Sequence, residues 1–248
     1  MDLKDFFRQH PKAAIAFSGG VDSSYLLYAA LQCGADVRAY YVKGAFQPQF
    51  ELDDAQRLAR DIHAPMTVLR ADVLRDETVT ANPANRCYYC KKVVFSSIAQ
   101  AALADGYTLL LDGTNASDDA GDRPGMRALQ ELQVLSPLRL CGLTKPEIRR
   151  LSKEARLFTW DKPAYACLAT RIPTGEKITA EKLSATESAE GELFAMGFTD
   201  FRVRWYAGAA RLQFPAVQLP RVLERREEIL TKLKKYYPAV LLDLEVRG

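Results

Sequence analysis

Short apolar runs alternate with helical patterns over roughly the first two thirds of the chain. The apolar runs lie at residues 13–17, 37–42, 66–69 and 108–112, and the helical patterns lie at 23–32, 52–62, 91–104 and from a capping box at 144–147 to about 156. Strands that alternate with helices predict a parallel sheet wrapped by helices. The sequence therefore predicts a doubly wound parallel α/β domain.

The pattern changes after Pro173. A long helix at 179–196, a hairpin of two strands at 201–206 and 210–214, a charged helix at 217–237 and a final strand at 240–246 follow in order. This order is typical of a smaller α+β domain. We place the boundary within 173–178, which gives a first domain of 1–175 and a C-terminal domain of 176–248.

Composition limits the classes of function. The 248 residues are 48% hydrophobic and 26% charged, with a net charge of +3, as in an ordinary soluble globular protein. Such a nearly balanced charge permits anionic ligands but does not indicate a nucleic-acid surface. The first ten residues lack the pattern of a signal peptide, and no apolar run approaches the length of a membrane helix. We expect a cytoplasmic protein without a membrane partner.

A glycine- and serine-rich loop, Ser18-Gly-Gly-Val-Asp-Ser-Ser24, separates the first strand from the first helix. Gly19 and Gly20 let the backbone approach a ligand, and the helix start directs free N–H groups at an anion. Asp22 could hold the magnesium that accompanies ATP. Further hydroxyl donors come from the three serines, Ser18, Ser23 and Ser24. The loop has no lysine, which argues against a kinase or GTPase; a plain glycine turn with a serine cap is the alternative.

A second segment, Leu111-Asp-Gly-Thr-Asn115, follows another predicted strand and continues to Asp119. Ligands of open α/β sheets bind at the carboxyl ends of strands. Gly113 and Asn115 are therefore candidate ligand contacts, although a turn with capping residues is the alternative.

The first loop resembles the PP-loop of the ATP pyrophosphatase superfamily, whose fold is described as adenine nucleotide alpha hydrolase-like. Members bind ATP, adenylate a carbonyl or amide oxygen and release pyrophosphate. In the superfamily, a Gly-x-Asn-x-x-Asp stretch similar to the one at 113–118 lines the adenine and phosphate site. The resemblance implies ATP and Mg²⁺ as cofactors.

Three of the five cysteines stand in distinctive contexts, namely Cys87-Tyr-Tyr-Cys90 and Cys167. A structural zinc site needs about four ligands, and the two histidines are far away in sequence. A redox dithiol would leave Cys167 unexplained. Three thiolates suit a [4Fe–4S] cluster with one open iron, and Cys167 alone could donate sulfur to an adenylated substrate. We expect Cys33 and Cys141 to be buried as small hydrophobes.

Four further segments lie in order behind the loop, namely residues 82–91, 143–149, 160–164 and 167–175. Together with 201–204 and 210–213 they resemble the LarE family, the ATP-dependent sulfur transferases of nickel-pincer cofactor synthesis. The likeness covers nearly the whole chain. It implies a small-molecule mononucleotide substrate and a homo-oligomer.

The resemblance also implies the reaction. The family adenylates pyridinium-3,5-biscarboxylic acid mononucleotide and replaces carboxylate oxygen with sulfur. Two rounds yield the bisthiocarboxylic acid mononucleotide, which is later loaded with nickel for lactate racemase and related enzymes. In sacrificial members the position of Cys167 donates sulfur and becomes dehydroalanine, whereas members with three active-site cysteines hold a [4Fe–4S] cluster. The presence of Cys87 and Cys90 favours the cluster here.

Basic residues are candidates for the substrate. Arg171 could bind an adenylate or substrate phosphate, and Arg202 and Arg204 share one face of a strand and match a site for the mononucleotide phosphate. A solvated outer face of the sheet is the alternative for that pair. Glu190 is a weaker candidate for a metal or substrate contact, and an exposed helix carboxylate is the alternative.

Other classes of function remain open. A tRNA thiolase shares the loop and often has paired cysteines, but it needs a basic surface, so we expect no nucleic-acid partner. An amide-forming synthetase of the NAD or GMP type would not need Cys167. A nucleotide-binding regulatory module would not turn ATP over.

Overall fold

The computed structural model describes residues 1–118 and 124–247. Asp119, at the end of the second candidate segment, and Gly248, the last residue of the predicted second domain, lie outside the described residues. The chain forms two compact units, of which the first comprises Met1–Val73 and Asn85–Lys162 and the second Leu74–Ala84 and Pro163–Gly248.

A four-stranded parallel sheet forms the centre of the first unit. Its strand order is β3-β2-β1-β4. The strands are β1 (Lys12–Ala16), β2 (Asp36–Lys43), β3 (Met66–Arg70) and β4 (Leu110–Leu111). The helices are α1 (Leu3–Gln9), α2 (Val21–Gln32), α3 (Gln49–Asp61), α5 (Arg86–Ala104), α6 (Pro124–Glu131), α7 (Pro137–Leu140) and α8 (Lys145–Glu154). The predicted fold class is confirmed.

The sheet buries apolar side chains on both faces. In β1, Ala13 and Ile15 belong to one core cluster and Ala14 to another, and in β2 Tyr41 and Tyr40 divide in the same way. This alternation follows from the period of two along a strand. Because both faces are covered, the strands read as continuous apolar runs, which is why the sequence located them.

Helix α5 begins at Arg86, five residues before the predicted start, and therefore contains the Cys87–Cys90 pair. The hydroxyl of Tyr88 donates to Glu131 in α6 at 2.7 Å, a contact between segments that are distant in sequence. The predicted capping box of α8 is confirmed, because the Thr144 N–H donates to Glu147 Oε2 at 2.9 Å. Among the described helices, none combines the length and the apolar character needed to cross a membrane.

The second unit contains a mixed three-stranded sheet. Strands β5 (Arg202–Tyr206) and β6 (Ala209–Gln213) are antiparallel, and β7 (Val240–Leu242) pairs with β6 in parallel. Its helices are α4 (Glu77–Thr80), α9 (Ala180–Ala195), α10 (Leu219–Glu224) and α11 (Arg226–Leu233). Aromatic rings fill the core, with Phe214 centred 5.2 Å from Phe198 and 5.5 Å from Phe201. The predicted smaller α+β component is confirmed.

The single helix predicted at 217–237 is wrong. Helices α10 and α11 are separated at Arg225, whose φ of −101° and ψ of 18° interrupt the helical backbone. The guanidinium of Arg225 donates to the carbonyl of Met196 at 2.7 Å, and Arg221 donates to Met196 and to Gly197. These bonds connect the break to the end of α9. The final strand is also shorter than predicted, because it ends at Leu242.

The two compact units do not follow the predicted division between residues 175 and 176, and that division stays a prediction about domains. A buried asparagine explains why Leu74–Ala84 joins the second unit. Asn82 is 0% exposed, and its amide Nδ2 donates to the carbonyls of Ile172 at 3.3 Å, Pro173 at 2.7 Å and Glu176 at 3.2 Å. One side chain thus holds a turn about 90 residues away in sequence.

Removal of the Asn82 amide tests this connection. We expect Asn82→Gly to lower the free energy of unfolding by about 1–3 kcal/mol, because buried carbonyls lose their donor. Asn82→Ala should cost roughly 1 kcal/mol more, since the φ of 56° is unfavourable for alanine. Denaturant unfolding measures both. Asn85→Ala is the matched control, because the exposed Asn85 makes no capping hydrogen bond. An Asn82→Gly variant as stable as the unaltered chain would contradict this role.

Candidate functional site

The two ligand-type loops predicted from the sequence lie side by side. Strand β1 has β2 on one side and β4 on the other, so the strand order reverses between β1 and β4. Open α/β sheets bind ligands at such a switch point, beyond the carboxyl ends of the strands. Residues 18–24 follow β1, and residues 112–115 follow β4. The approach is so close that a Cβ atom on Gly113 would lie 2.8 Å from the backbone nitrogen of Ser23.

The loop after β1 leads into the N-terminus of α2, where backbone N–H groups lack intrahelical acceptors. Gly19 has a φ of +73°, and a Cβ there would lie 3.0 Å from the Ala55 methyl group. Gly20 is the N-cap of α2 and supplies no side-chain cap. The hydroxyl of Ser18 accepts the Gly20 N–H at 3.3 Å and lies 3.1 Å from the hydroxyl of Ser23. The first-turn N–H groups of α2 therefore have no intrahelical acceptor, as an anion site requires.

A cavity of about 300 Å³ opens at this switch point. Four of the predicted residues line it, together with residues that the sequence did not single out. The lining residues are Ala16, Ser18, Asp22, Ser23, Lys91, Phe95, Asp112, Gly113, Thr114 and Asp118.

Other predicted residues shape the cavity rather than line it. The side chain of Ser24 is fully buried, whereas Gly19 and Gly20 belong to the turn itself. Asn115 is also buried, and its Oδ1 accepts the Ser117 N–H at 2.8 Å. Its own N–H donates to Asp118 at 2.9 Å. Asn115 thus stabilises the loop that presents Asp118 to the cavity.

Two lysines bring positive charge to a loop that has none. Lys91, directly after Cys90 on α5, lines the cavity, and burial lowers its pKa, an effect that nearby Asp112 opposes. Lys145, the first residue of α8, places its Nζ 2.5 Å from Asp22 Oδ2. The signal for both was present, since Lys91 adjoins the cysteine pair and Lys145 lies in the capping box. Neither the position of Lys91 on the cavity nor the contact of Lys145 with Asp22 could be assigned without the fold.

Asp22 fits the role of a magnesium ligand. Its Oδ1 is buried and has no hydrogen-bond partner among the described residues, whereas Oδ2 contacts Lys145. A carboxylate oxygen is the ligand type that Mg²⁺ prefers. One oxygen of Asp22 can therefore accept a metal that arrives with phosphate oxygens.

Gly113→Ala tests the contact between the two loops. The added methyl group would meet backbone atoms of Ser23, so the loops must separate. We expect destabilisation by about 1–3 kcal/mol, as in other overpacked sites, together with weaker binding of ATP. Unfolding and calorimetric titration measure the two effects. Gly191→Ala in α9, where a Cβ meets nothing within 4 Å, is the control and should stabilise the chain by about 0.5–1 kcal/mol. Equal effects of the two substitutions would contradict the contact.

The cysteines divide between the units. Cys87 is exposed and Cys90 is half-buried, three residues apart on one side of α5 in the first unit. Cys167, half-buried, precedes a short 3₁₀ turn in the second unit. Within residues 1–118 and 124–247, no three His, Cys, Asp or Glu side chains are grouped as a metal site.

The remaining thiols differ from each other. The expectation that Cys33 is buried is wrong, because it lies exposed at the end of α2. Cys141 is half-buried and packs against the core of the first unit.

A buried ion pair between Arg171 and Glu190 contacts the backbone at Cys167, because Arg171 Nη1 donates to the Cys167 carbonyl at 3.4 Å. Arg171 and Glu190 are each 1% exposed, with Nε–Oε1 and Nη2–Oε2 distances of 2.9 and 3.2 Å. Tyr165 donates its hydroxyl to Glu190, and the Arg171 guanidinium stacks 4.5 Å from the Tyr165 ring. Burial raises the pKa of Tyr165, so it stays a donor. The interpretation of Glu190 as an exposed helix carboxylate is wrong, because its helix face is buried.

The alternative of a solvated sheet face is also wrong for Arg202. This residue is 4% exposed, and its Nη2 donates to the carbonyl of Ala164 at 2.6 Å. Burial and the neighbouring Arg171 lower the pKa of Arg202 to about 10. Burial and Arg171 likewise lower the pKa of the half-buried Arg204. Besides burial, both shifts reflect the neighbouring guanidinium group of Arg171, and such a cluster of positive charge favours an anionic ligand.

Glu190→Gln tests the ion pair. Removal of one charge leaves Arg171 buried and uncompensated, so we expect a loss of about 3–5 kcal/mol in the free energy of unfolding. Glu154→Gln is the control, because its pair with Arg150 is exposed and should contribute less than about 1 kcal/mol. Denaturant unfolding of both variants gives the difference. Equal losses of unfolding free energy in the two variants would show that the buried pair contributes no more stability than the exposed pair.

The chain resembles known proteins along nearly its whole length. An uncharacterized protein of Synechocystis is 36% identical over 98% of this chain and 92% of its own length. The pyridinium-3,5-bisthiocarboxylic acid mononucleotide synthase of Lactiplantibacillus plantarum is 31% identical over 98% of this chain and 87% of its own. An uncharacterized protein of Methanocaldococcus jannaschii is 30% identical over 99% and 94%.

Weaker matches include a tRNA-specific 2-thiouridylase of Thermotoga neapolitana, which is 25% identical over 58% of this chain and 52% of its own length. No family model matches the chain. The synthase match extends through the loop after β1, the cysteine pair and the arginines of the second unit, and the identity over this span is sufficient to assign membership. The chain belongs to the LarE family.

Proposed function

We propose that this protein is an ATP-dependent sulfur transferase that converts pyridinium-3,5-biscarboxylic acid mononucleotide into the bisthiocarboxylic acid mononucleotide of nickel-pincer cofactor synthesis. The observation that supports it most strongly is the match over 98% of the chain to a synthase named for that product. The cavity between the loops after β1 and β4 adds a physical basis for ATP binding, because it combines free helix N–H groups, serine hydroxyls and the ammonium group of Lys91.

Adenylation is the first proposed step. A carboxylate oxygen is a poor leaving group, and its attack on the α-phosphorus of ATP converts it into an acyl adenylate while pyrophosphate departs. The N-terminus of α2, the hydroxyls of Ser18 and Ser23, and Lys91 would stabilise the negative charge on pyrophosphate. Mg²⁺ held by Asp22 would supply further charge neutralisation.

The second unit supplies the proposed phosphate site of the substrate. Arg202 and Arg204 carry positive charge beside Arg171, and no carboxylate forms a bidentate pair with either of them among the described residues. Arg171 is less suited to this role than the sequence implied, because Glu190 already occupies its fork. The phosphate of a mononucleotide would compensate the excess charge of the pair.

Sulfur insertion is the second proposed step. The thiolate of Cys167 attacks the adenylate carbonyl carbon, a C–S bond forms, and AMP leaves with the electron pair of the broken C–O bond. Removal of the Cα proton of Cys167 then breaks its Cβ–S bond, which releases the thiocarboxylate and leaves dehydroalanine. Both steps are redox neutral. The Cys87–Cys90 pair favours the other route, in which a [4Fe–4S] cluster on the three cysteines would supply the sulfide and leave Cys167 intact, and donation by Cys167 is the alternative to that route.

Pyrophosphate release tests the ATP half. We expect release that depends on both ATP and the biscarboxylic acid mononucleotide. Lys91→Met should raise the KM for ATP by about 10- to 100-fold, because a charged contact to phosphate is lost. Lys92→Met is the matched control, since Lys92 pairs with Glu131 outside the cavity, and it should behave as the unaltered protein. ATP-independent product formation would refute the proposal.

The sulfur donor is tested on protein purified without oxygen. Iron, sulfide and a visible absorption band, with Cys167 intact by mass after turnover, would support the cluster. Iron-free protein that loses the mass of one hydrogen sulfide per sulfur transferred would support donation by Cys167. Full sulfur transfer by Cys167→Ala would refute both routes.

A tRNA thiolase is the second candidate, and the matches to tRNA-specific 2-thiouridylases favour it over other rivals. It predicts tRNA binding whose affinity falls steeply with salt. Thiolation of tRNA at a rate above that of the mononucleotide would establish it in place of the leading proposal.

A further inference from the structure

Two arginines assigned above to the substrate phosphate also hold the backbone around Cys167. Arg202 Nη2 donates to the carbonyl of Ala164 at 2.6 Å, three residues before the cysteine. Arg204 Nη1 donates to the carbonyl of Thr170 at 3.1 Å, three residues after it. The two proposed phosphate ligands thus hydrogen-bond to the backbone on both sides of Cys167, at Ala164 and at Thr170.

The middle of this segment is held by Arg171, whose guanidinium has a fixed orientation. Arg171 Nη1 donates to the carbonyl of Ala166 at 2.7 Å, and its Nε and Nη2 are fixed by Glu190. A bidentate pair that is fully buried has one orientation. Arg171 therefore provides a fixed support for Ala166, and any adjustable contact must come from the two ends.

Arg204 has the donors for an adjustable contact. Its Nε donates to Gln213 Oε1 at 3.2 Å and its Nη1 to Thr170, while Nη2 has no partner among the described residues. The side chain is half-buried, and no carboxylate among the described residues forms an ion pair with it, since nearby Asp243 pairs with Arg211. A neutral amide and a carbonyl hold a guanidinium less firmly than a charged acceptor does.

We propose that Arg204, assisted by Arg202, couples substrate binding to the placement of Cys167. A phosphate bound at Nη2 fixes the plane of the guanidinium, and the fixed plane strengthens the hydrogen bond to the Thr170 carbonyl. The Cys167 segment becomes ordered when the mononucleotide is present. This inference rests on the proposed function, in which these arginines bind the substrate phosphate.

The coupling requires the geometry of arginine. A planar guanidinium holds its donors in a rigid arrangement, so Nη2 can bind the phosphate while Nη1 binds the carbonyl. A lysine keeps the charge but has one rotatable ammonium group, which cannot connect the two contacts rigidly. Substitution of arginine by lysine therefore separates phosphate binding from coupling.

Amide hydrogen exchange of residues 164–172 provides the readout. The Thr170 N–H donates to the Cys167 carbonyl at 3.0 Å and the Ile172 N–H to that of Ala169 at 3.3 Å, so both report the order of the segment. At saturation, nicotinate mononucleotide should slow their exchange by about fivefold or more, as expected for strengthening one hydrogen bond to a charged group. Nicotinate riboside, which lacks the phosphate, should not.

Arg204→Lys and Arg211→Lys form the matched pair. Arg211 lies opposite Arg204 in the strand register and pairs with Asp243 at 3.4 Å. Without ligand, Arg204→Lys should already speed exchange at Thr170, whereas Arg211→Lys should not. With saturating mononucleotide, Arg204→Lys should lose the protection and Arg211→Lys should retain it.

Three results would overturn the coupling. Equal protection in Arg204→Lys would mean that the ligand merely shields the segment, and unchanged exchange of ligand-free Arg204→Lys would mean that Arg204 does not hold it. Calorimetric binding of the mononucleotide without slower exchange in the unaltered protein would also refute it. Failure of the unaltered protein to bind the mononucleotide at all is a different outcome, because it refutes the phosphate assignment of the proposed function itself.

Discussion

The candidate ATP site depends on one close backbone contact. The loops after β1 and β4 meet where only a glycine fits at position 113, since a Cβ would lie 2.8 Å from the Ser23 nitrogen. This contact places Asp112 and Asp118 beside the N-terminus of α2. Asp112 is in turn held by Ser136, whose hydroxyl donates to it at 2.6 Å. The geometry of the cavity follows from the strand order and from the absence of a Cβ atom at Gly113.

The strands could be predicted because their signal is local. Residues buried on both faces of a sheet form continuous apolar runs, and each run lay within one or two residues of β1, β2 and β3. Elements defined by distant partners were less accessible. The break at Arg225 depends on the carbonyl of Met196, directly after the end of α9, and the early start of α5 accompanies the contact between Tyr88 and Glu131.

The same distinction applies to the candidate site. Ser18, Asp22, Ser23 and Gly113 lie on two contiguous motifs, and the structure places all four on one cavity. The burial of Glu190 was not predicted, although a signal for it existed. It falls on the apolar stripe of α9 with Leu183, Thr186 and Leu193, at spacings of three, four and three, so burial followed from its helix face. Its partner Arg171 lies in a different segment, and only the fold brings the two together.

Charge balance explains how the chain can fold around so polar a cavity. A buried ammonium without a counterion would destabilise the fold, and both Lys91 on the cavity and Lys145 beside Asp22 have a carboxylate nearby. Lys145 contacts Asp22, and the charge of Asp112 supports the ammonium form of Lys91 against burial. Mg²⁺ and a polyphosphate arrive together as cation and anion, so their entry would exchange one set of compensated charges for another. In the proposed ATP site, a loop without its own lysine would therefore draw its cations from helices that are distant in sequence.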